Sequence, residues 1–279
     1  MSDTILVTGA CGYIGRHVID ELSKRDVHIL VADPMADGSD DRYQVIEHSI
    51  FDTDVDGFFE KVGSPDRVIH LAWRDGFNHG SKAHLANLSG HVDFVTALAE
   101  GGTKSISIMG SMHEVGYWEG AIDENTPCNP QSFYGIAKNA LRQASKIICS
   151  KNDVSLKWLR GYYIVGDDAS NHSIFAKIIE KAQAGEKAFP FTSGRNKYDF
   201  IDVNELARQI VAASLQDQVE GEINCCSGKP VSLGEQVEAF IKKNGFDITL
   251  EYGKFPDRPY DSPAVWGDAT RINEIMGRA

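Results

Sequence analysis

The sequence predicts an α/β protein, a doubly wound parallel sheet followed by a smaller C-terminal region. Three observations carry this expectation. Short apolar runs alternate with segments of helical periodicity through the first half of the chain. The runs are apolar at consecutive positions, as strands covered on both faces require. A glycine-rich turn lies between the first run and the first helical segment.

The elements follow in order. Ile5-Leu6-Val7 reads as a strand and Tyr13 to Leu22 as a helix. His28-Ile29-Leu30-Val31 reads as the second strand, and the acidic run Asp37 to Asp41 beyond it as a solvated loop. Val68-Ile69-His70-Leu71 and Ser105-Ile106-Ser107-Ile108 are two further strands, with His84 to Leu98 at helical spacing between them. From about Tyr162 the rhythm loosens. Helical patterns at Ile174 to Ala184, Val203 to Ser214 and Leu233 to Lys243 are separated by Gly, Pro and Ser. The chain therefore divides into residues 1–161 and a smaller region, 162–279, some of whose elements pack back on the first.

Bulk properties narrow the function. With 28 Lys and Arg against 40 Asp and Glu, the net charge is −12, which argues against a nucleic-acid or anionic-membrane surface. No apolar run approaches membrane-spanning length, and Met1 to Thr4 lacks the pattern of a leader, so a cytoplasmic protein is expected. The five cysteines, Cys11, Cys128, Cys149, Cys225 and Cys226, contain no C-x-x-C pair and read as reduced thiols. No residues have metal-ligand spacing, so no metal is expected.

Thr8-Gly9-Ala10-Cys11-Gly12-Tyr13-Ile14-Gly15 is the end of a strand, a glycine turn and a helix start. That spacing lets the backbone turn tightly beneath a pyrophosphate and aims helix N–H groups at it. Asp33 directly follows the second strand, where a carboxylate accepts from both hydroxyls of an adenosine ribose and repels a 2′-phosphate. Pro34 brings no positive charge and no Arg or Lys follows until Arg42, so NAD is favoured over NADP. Strand, turn, helix and acidic partner together are those of a Rossmann sheet.

Tyr134-Gly135-Ile136-Ala137-Lys138 is Y-x-x-x-K, which places Tyr134 and Lys138 on one helix face. A lysine ammonium beside a tyrosine favours the phenolate and brings it toward the range a general acid/base needs. Ser111 follows the strand that begins at Ser105, at the sheet edge where catalytic groups of such folds collect. Ser111 and Tyr134 gripping one carbonyl oxygen beside a nicotinamide form an alcohol/ketone redox site. His113, two residues beyond Ser111, either touches substrate or forms part of the site wall. Trp73 either narrows the nicotinamide end of the pocket or packs under the Arg74 to Lys82 loop, and His70 reads as a core or cofactor-flanking residue.

These motifs resemble the extended short-chain dehydrogenases/reductases, the NAD-dependent epimerase/dehydratase family that acts on nucleotide sugars. Val68 to Ala72, Asn87-Leu88-Ser89-Gly90, Leu159-Arg160, Tyr198 to Val203 and Arg258-Pro259-Tyr260-Asp261 extend the resemblance over nearly the whole chain. It implies cofactor contacts from Gly9, Cys11, Gly12, Tyr13, Ile14, Gly15, Asp33, Leu71, Ala72, Asn87 and Lys138. It implies substrate contacts from His113, Tyr163, Arg258 and Asp261. Dehydratases of the family carry an Asp-Glu pair after the catalytic hydroxyl. Met112 and His113 stand there, so elimination is not expected. Tyr163 and Tyr198 replace an Asn and an Arg that contact substrate phosphate, leaving Arg195, Lys197 or Arg258 to supply positive charge. The implied reaction is reduction of a 4-keto group on a nucleotide-activated (6-deoxy)hexose. A 4-epimerase that retains NAD is the alternative, and a non-catalytic dinucleotide sensor the alternative of another class. A homodimer formed through the segments His84 to Leu98 and Tyr134 to Cys149 is also expected.

Overall fold

Apolar strands of the first half assemble as a parallel sheet because each offers an apolar side chain to both faces. The computed structural model describes residues 2–46, 49–51, 63, 65–166, 173–257 and 261–277. In chain order, β1 (Thr4–Thr8), β2 (His28–Ala32), β3 (Gln44–Val45), β4 (Arg67–His70) and β5 (Ser105–Ser111) precede the short β6 (Gly120–Ile122). Then come β7 (Ser155–Gly161), β8 (Tyr163–Val165), β9 (Ala188–Pro190), β10 (Lys197–Asp202) and β11 (Gly221–Cys225). The last are β12 (Pro230–Ser232), β13 (Thr249–Glu251) and β14 (Ala264–Gly267).

The main sheet has seven strands in the order β11-β7-β5-β4-β1-β2-β3, all parallel. Alternation along each strand sorts its side chains into two cores. Ile5, Val7, Ile29, Val31, Ile69 and Leu159 enter one core, with Val18, Leu22, Leu206 and Ile210 from helices Gly15–Leu22 and Val203–Leu215. Leu6, Leu30, Val68, Ile106, Ile108 and Trp158 enter the other, with Phe94, Leu98 and Leu141 from helices Leu88–Glu100 and Phe133–Lys151. Helices on both faces make the sheet doubly wound. Because β1 pairs β2 on one side and β4 on the other, the strand order reverses at β1. The crevice opens there, beyond the strand C-termini.

A second sheet, β12-β10-β14-β6 with β8 on β10, joins strands of the C-terminal part to β6 of the first, and the pair β13-β9 belongs to the C-terminal part. A third apolar cluster fills it, built on Phe175, Ile178, Phe191, Val237 and Phe240. Helices Ile174–Gln183 and Leu233–Lys243 supply most of that cluster. Each begins at a serine, Ser173 or Ser232, whose hydroxyl accepts a backbone N–H of the first turn. Residues beyond 161 also return to the main sheet. β11 is its edge strand, and helix Val203–Leu215 packs on helix Gly15–Leu22.

Differences from the periodicity reading near the crevice have local causes. The first helix begins at Gly15 rather than Tyr13, because Gly12 N donates to Gly9 O and holds the turn open for three more residues. His84 to Leu98 is two helices, Ala83–Ala86 and Leu88–Glu100, which meet at Asn87. The strand starting at Ser105 runs on to Ser111 and carries that residue to the C-terminal end of the sheet. Among the described residues no helix is long and apolar enough to cross a membrane.

Candidate active site

The glycine turn is built from close backbone packing. A Cβ at Gly9, whose φ is +71°, would lie 2.6 Å from the Ala72 nitrogen, and one at Gly15 would lie 2.0 Å from Gly9 O. Neither position admits a side chain, so bare backbone and the N-terminus of helix Gly15–Leu22 face the crevice. Leu71 N donates to Thr8 O at 3.0 Å, which locks the end of β4 against the turn. Asp33 closes the other side. Its carboxylate accepts Cys11 N at 3.0 Å and Met35 N at 2.9 Å. Arg42, the first cation downstream, is occupied by Asp40 at 2.6 Å and Asp20 at 2.5 Å. This surface fits a dinucleotide that carries free ribose hydroxyls. Asn87, between the two short helices beyond β4, accepts His91 N at 3.2 Å.

Tyr134 and Lys138 lie on helix Phe133–Lys151, whose N-cap Ser132 accepts Gly135 N at 3.1 Å. Gly135 brings the helix in close, since a Cβ there would lie 2.3 Å from His113 O. The approach brings Tyr134 beside Ser111, whose hydroxyl favours the phenolate. Ser111 caps a 3₁₀ turn, Met112–Glu114, and accepts His113 N at 3.3 Å. Lys138 donates to Met109 O at 2.7 Å, and its ammonium lies 3.7 Å from the centre of the Trp73 ring.

Electrostatics here oppose the simple expectation for a Tyr-Lys pair. Burial pushes the Tyr134 phenol up to about 12, against the Ser111 hydrogen bond. Burial also brings the Lys138 ammonium down to about 7, with Glu114 pulling the other way. In the protein alone, desolvation outweighs the mutual help that spacing suggests.

Sequence reasoning missed several residues around the pair. The ring of His79, from the loop after Trp73, stacks on Tyr134 at 4.8 Å and 9°, and His79 O accepts Tyr134 N at 3.1 Å. His113 meets His79 at 4.3 Å and Tyr163 at 6.5 Å, and Tyr163 meets Tyr198 at 4.4 Å. Burial holds His113 down at about 3, so it stays a neutral donor and acceptor at ordinary pH. Beneath the turn, wholly buried Glu114 accepts Ser111 N at 2.5 Å and Trp158 Nε1 at 2.9 Å, with Arg160 and Arg142 each at 3.6 Å. No periodicity or motif signals these contacts, because each partner comes from a different element.

Of the other expected residues, Tyr13 and Ile14 lie in the glycine turn, Tyr13 abutting Gly166. Asp261 is half-buried ahead of β14, and Arg258 lies outside the described residues. Arg195 and Lys197 are exposed. Met112 is a core residue. Cys225 and Cys226 are buried and form no disulfide. Among the described residues, no His, Cys, Asp and Glu cluster could hold a metal.

Glycine turn, acidic partner and Ser-Tyr-Lys cluster on a doubly wound sheet define a dinucleotide-dependent oxidoreductase framework. A family model described as NAD dependent epimerase/dehydratase family matches residues 5–226, and the chain belongs to this family. It is similar to the dTDP-6-deoxy-L-talose 4-dehydrogenase (NAD(+)) of Aggregatibacter actinomycetemcomitans, 44% identical over 269 residues, covering 94% of this chain and 98% of that protein. It is more distantly similar to the UDP-glucose 4-epimerase of Lactobacillus helveticus, 23% identical and covering 98% and 91% of the two chains. Among solved structures, the UDP-N-acetylglucosamine 4-epimerase from Methanobrevibacter ruminantium M1 shares the fold, with a TM-score of 0.85 and 20% identity over 98% of this chain and 92% of that one.

Proposed function

We propose that this protein is an NAD-dependent oxidoreductase that interconverts the hydroxyl and the ketone at C4 of a nucleotide-activated 6-deoxyhexose. The observation that carries this is the 44% identity, nearly end to end, to a dTDP-6-deoxy-L-talose 4-dehydrogenase. The Ser111-Tyr134-Lys138 cluster supports it, since it supplies the groups that such a reaction requires.

Gly9, Cys11, Gly12, Tyr13, Ile14 and Gly15 hold the pyrophosphate, and Asp33 binds the adenosine ribose. Leu71, Ala72, Asn87 and Lys138 line the remainder of the cofactor crevice. NAD held there would supply the hydride acceptor for C4 in oxidation, and NADH the hydride donor in reduction. In reduction Tyr134 gives its phenolic proton to the C4 oxygen, and in oxidation it takes that proton back. Ser111 donates a hydrogen bond to the same oxygen. The Lys138 ammonium stabilises the phenolate that reduction leaves behind. His113 and Tyr163, with Arg258 and Asp261, bind the sugar nucleotide.

Residues 1–161 form the NAD-binding part and 162–279 the substrate-binding part, with β11 and helix Val203–Leu215 packed back on the main sheet. A homodimer is supported by the exposed Phe133, Ile136 and Ile147 on helix Phe133–Lys151. The reading includes a cytoplasmic location, in keeping with five reduced cysteines.

The test is incubation of the protein with dTDP-6-deoxy-L-talose and NAD, followed by NADH absorbance and product analysis. One NADH per sugar oxidised is expected. Interconversion of C4 epimers without net NADH identifies an epimerase instead. Cofactor binding without turnover of any sugar nucleotide identifies a dinucleotide sensor.

A further inference from the structure

Lys138 is a buried cation without a carboxylate beside it. Its side chain is enclosed, and its ammonium has one protein acceptor in contact, Met109 O at 2.7 Å. Among the described residues no carboxylate lies within ion-pair distance of it. The second contact is an aromatic face, the Trp73 ring at 3.7 Å. A buried ammonium so placed is stabilised by the ring quadrupole, most strongly where water is excluded and most strongly by an indole.

The indole is fixed from two sides. Trp73 Nε1–H donates to His84 Nδ1 at 3.0 Å, while His84 Nε2–H donates to Asn78 O at 2.8 Å, which sets the tautomer of that ring. His91 stacks nearly parallel to the indole, with 4.6 Å between centroids and 17° between planes. His91 is held in turn by His70 at 2.9 Å, and His70 by the Thr8 hydroxyl at 2.7 Å. Thr8 ends β1 immediately before the glycine turn. A continuous series of contacts therefore runs from the base of the cofactor loop through His70, His91 and Trp73 to the lysine. Tyr134 stands edge-on to the same indole at 6.0 Å and 84°.

We infer that Trp73 is a positioning residue for Lys138, its indole face taking the place of a carboxylate partner and holding the lysine charged beside the Tyr134 phenol. The inference rests on the reading of Tyr134 and Lys138 as the proton-transfer pair. The groups that face Lys138 are His70 of β4, His91 of helix Leu88–Glu100, Glu114 of the 3₁₀ turn and Tyr134 of its own helix. Burial keeps His91 down at about 3 and His70 well below its ordinary value, so both stay neutral above pH 6. Glu114 is pushed up by burial, and it is present unchanged in every variant compared, so it is common to all of their profiles. The alkaline side of the reduction therefore reports on the Tyr134-Lys138 pair.

Reduction needs the phenol and the ammonium together, and it fails once the pair loses a proton. Without the indole face the ammonium gives up its proton more easily, so the alkaline limb moves to lower pH. A desolvated cation–π contact corresponds to a shift of about 0.5–1.5 pH units.

The experiment records kcat against pH for NADH-dependent reduction of a dTDP-4-keto-6-deoxyhexose by the wild type, Trp73→Leu, Trp73→Phe and Tyr134→Phe. Trp73→Leu is expected to move the alkaline limb down by about 0.5–1.5 pH units. Trp73→Phe, which keeps a weaker π face, should move it by less. An unmoved limb in both variants, with or without a uniform fall in rate, overturns the inference, as does an upward shift. If Trp73→Leu does not fold, Trp73→Phe alone decides, by a downward shift or none. Full activity in Tyr134→Phe would instead overturn the reading of the proton-transfer pair, independently of what Trp73 does.

Discussion

Replacing Trp158 by Phe tests the buried cluster that carries Ser111. Trp158 is fully buried on β7, and its Nε1–H donates to both oxygens of Glu114, at 3.0 and 2.9 Å. Phenylalanine keeps the apolar ring but removes that donor. The carboxylate retains Ser111 N at 2.5 Å and the two guanidinium groups at 3.6 Å, so it loses its best-aligned side-chain partner. A hydrogen bond to a charged group contributes about 1.5–3 kcal/mol. The smaller ring also leaves a void on the order of 40 Å³, costing about 1 kcal/mol at ~24 cal/mol per Å³. Together the substitution should cost about 2.5–4 kcal/mol. With an m-value near 3 kcal/mol/M, the urea midpoint should fall by roughly 1 M. Equilibrium unfolding of wild type and variant, followed by far-UV circular dichroism, measures this. A loss below about 1 kcal/mol would refute the account of Trp158 as the main side-chain support of a buried carboxylate.

Other substitutions probe the crevice and the pair. Gly15→Ala sets a methyl against the Gly9 and Ala10 carbonyls, so calorimetry should show NAD affinity lower by about 100-fold or more; affinity within threefold of wild type would contradict the packing described. Asp33→Asn removes the charge and keeps one oxygen, enough for only one of the Cys11 and Met35 amides, which Asp33 serves with separate oxygens. A doubly charged phosphate about 5 Å from a carboxylate in a water-like dielectric is disfavoured by about 1.7 kcal/mol, so the NAD-to-NADP ratio of kcat/KM should fall by roughly tenfold or more; an unchanged ratio counts against Asp33 as the discriminator. Lys138→Met addresses stability against pH. Lys138 sits at about 7 in the fold, below its ordinary 10.5, so between these values the unfolded chain binds the extra proton. Wild-type stability therefore rises with pH across that window and falls as pH drops toward 7, whereas the variant should be flatter. Thermal melts at pH 7 and pH 10 should show an advantage of the variant at the lower pH that shrinks at the higher, and parallel curves for the two proteins would contradict this.

Much of the sheet was legible because buried parallel strands must be apolar on both faces, and β1, β2, β4 and β5 leave that mark in the sequence. The glycine turn was legible because only residues without side chains tolerate contacts as close as that of Gly9 with Ala72. β11 was not, because its place at the sheet edge depends on pairing with β7, some sixty residues earlier in the chain. The break at Asn87 lies within one apolar periodicity and leaves it intact, so the periodicity could not show it. The site divides in the same way. Tyr134 and Lys138 share a helix face at a fixed spacing, and Ser111 ends a readable strand. His79, His84, His91 and Glu114 reach the site from separate elements through side-chain contacts, which no local pattern encodes. Trp73 was singled out, but its contact with Lys138 emerges only when the segment after β4 and helix Phe133–Lys151 come together in the fold.

The central claim is that Tyr134 moves the proton at C4 of the sugar. The most direct measurement is the oxidation of dTDP-6-deoxy-L-talose by NAD with Tyr134→Phe, compared with the wild type at the same pH. Loss of general acid/base catalysis should lower kcat by about 10²–10⁴-fold, with KM within a fewfold and cofactor affinity unchanged. A variant that turns over within about threefold of the wild-type kcat would contradict the account, because a phenyl ring has no proton to give or take.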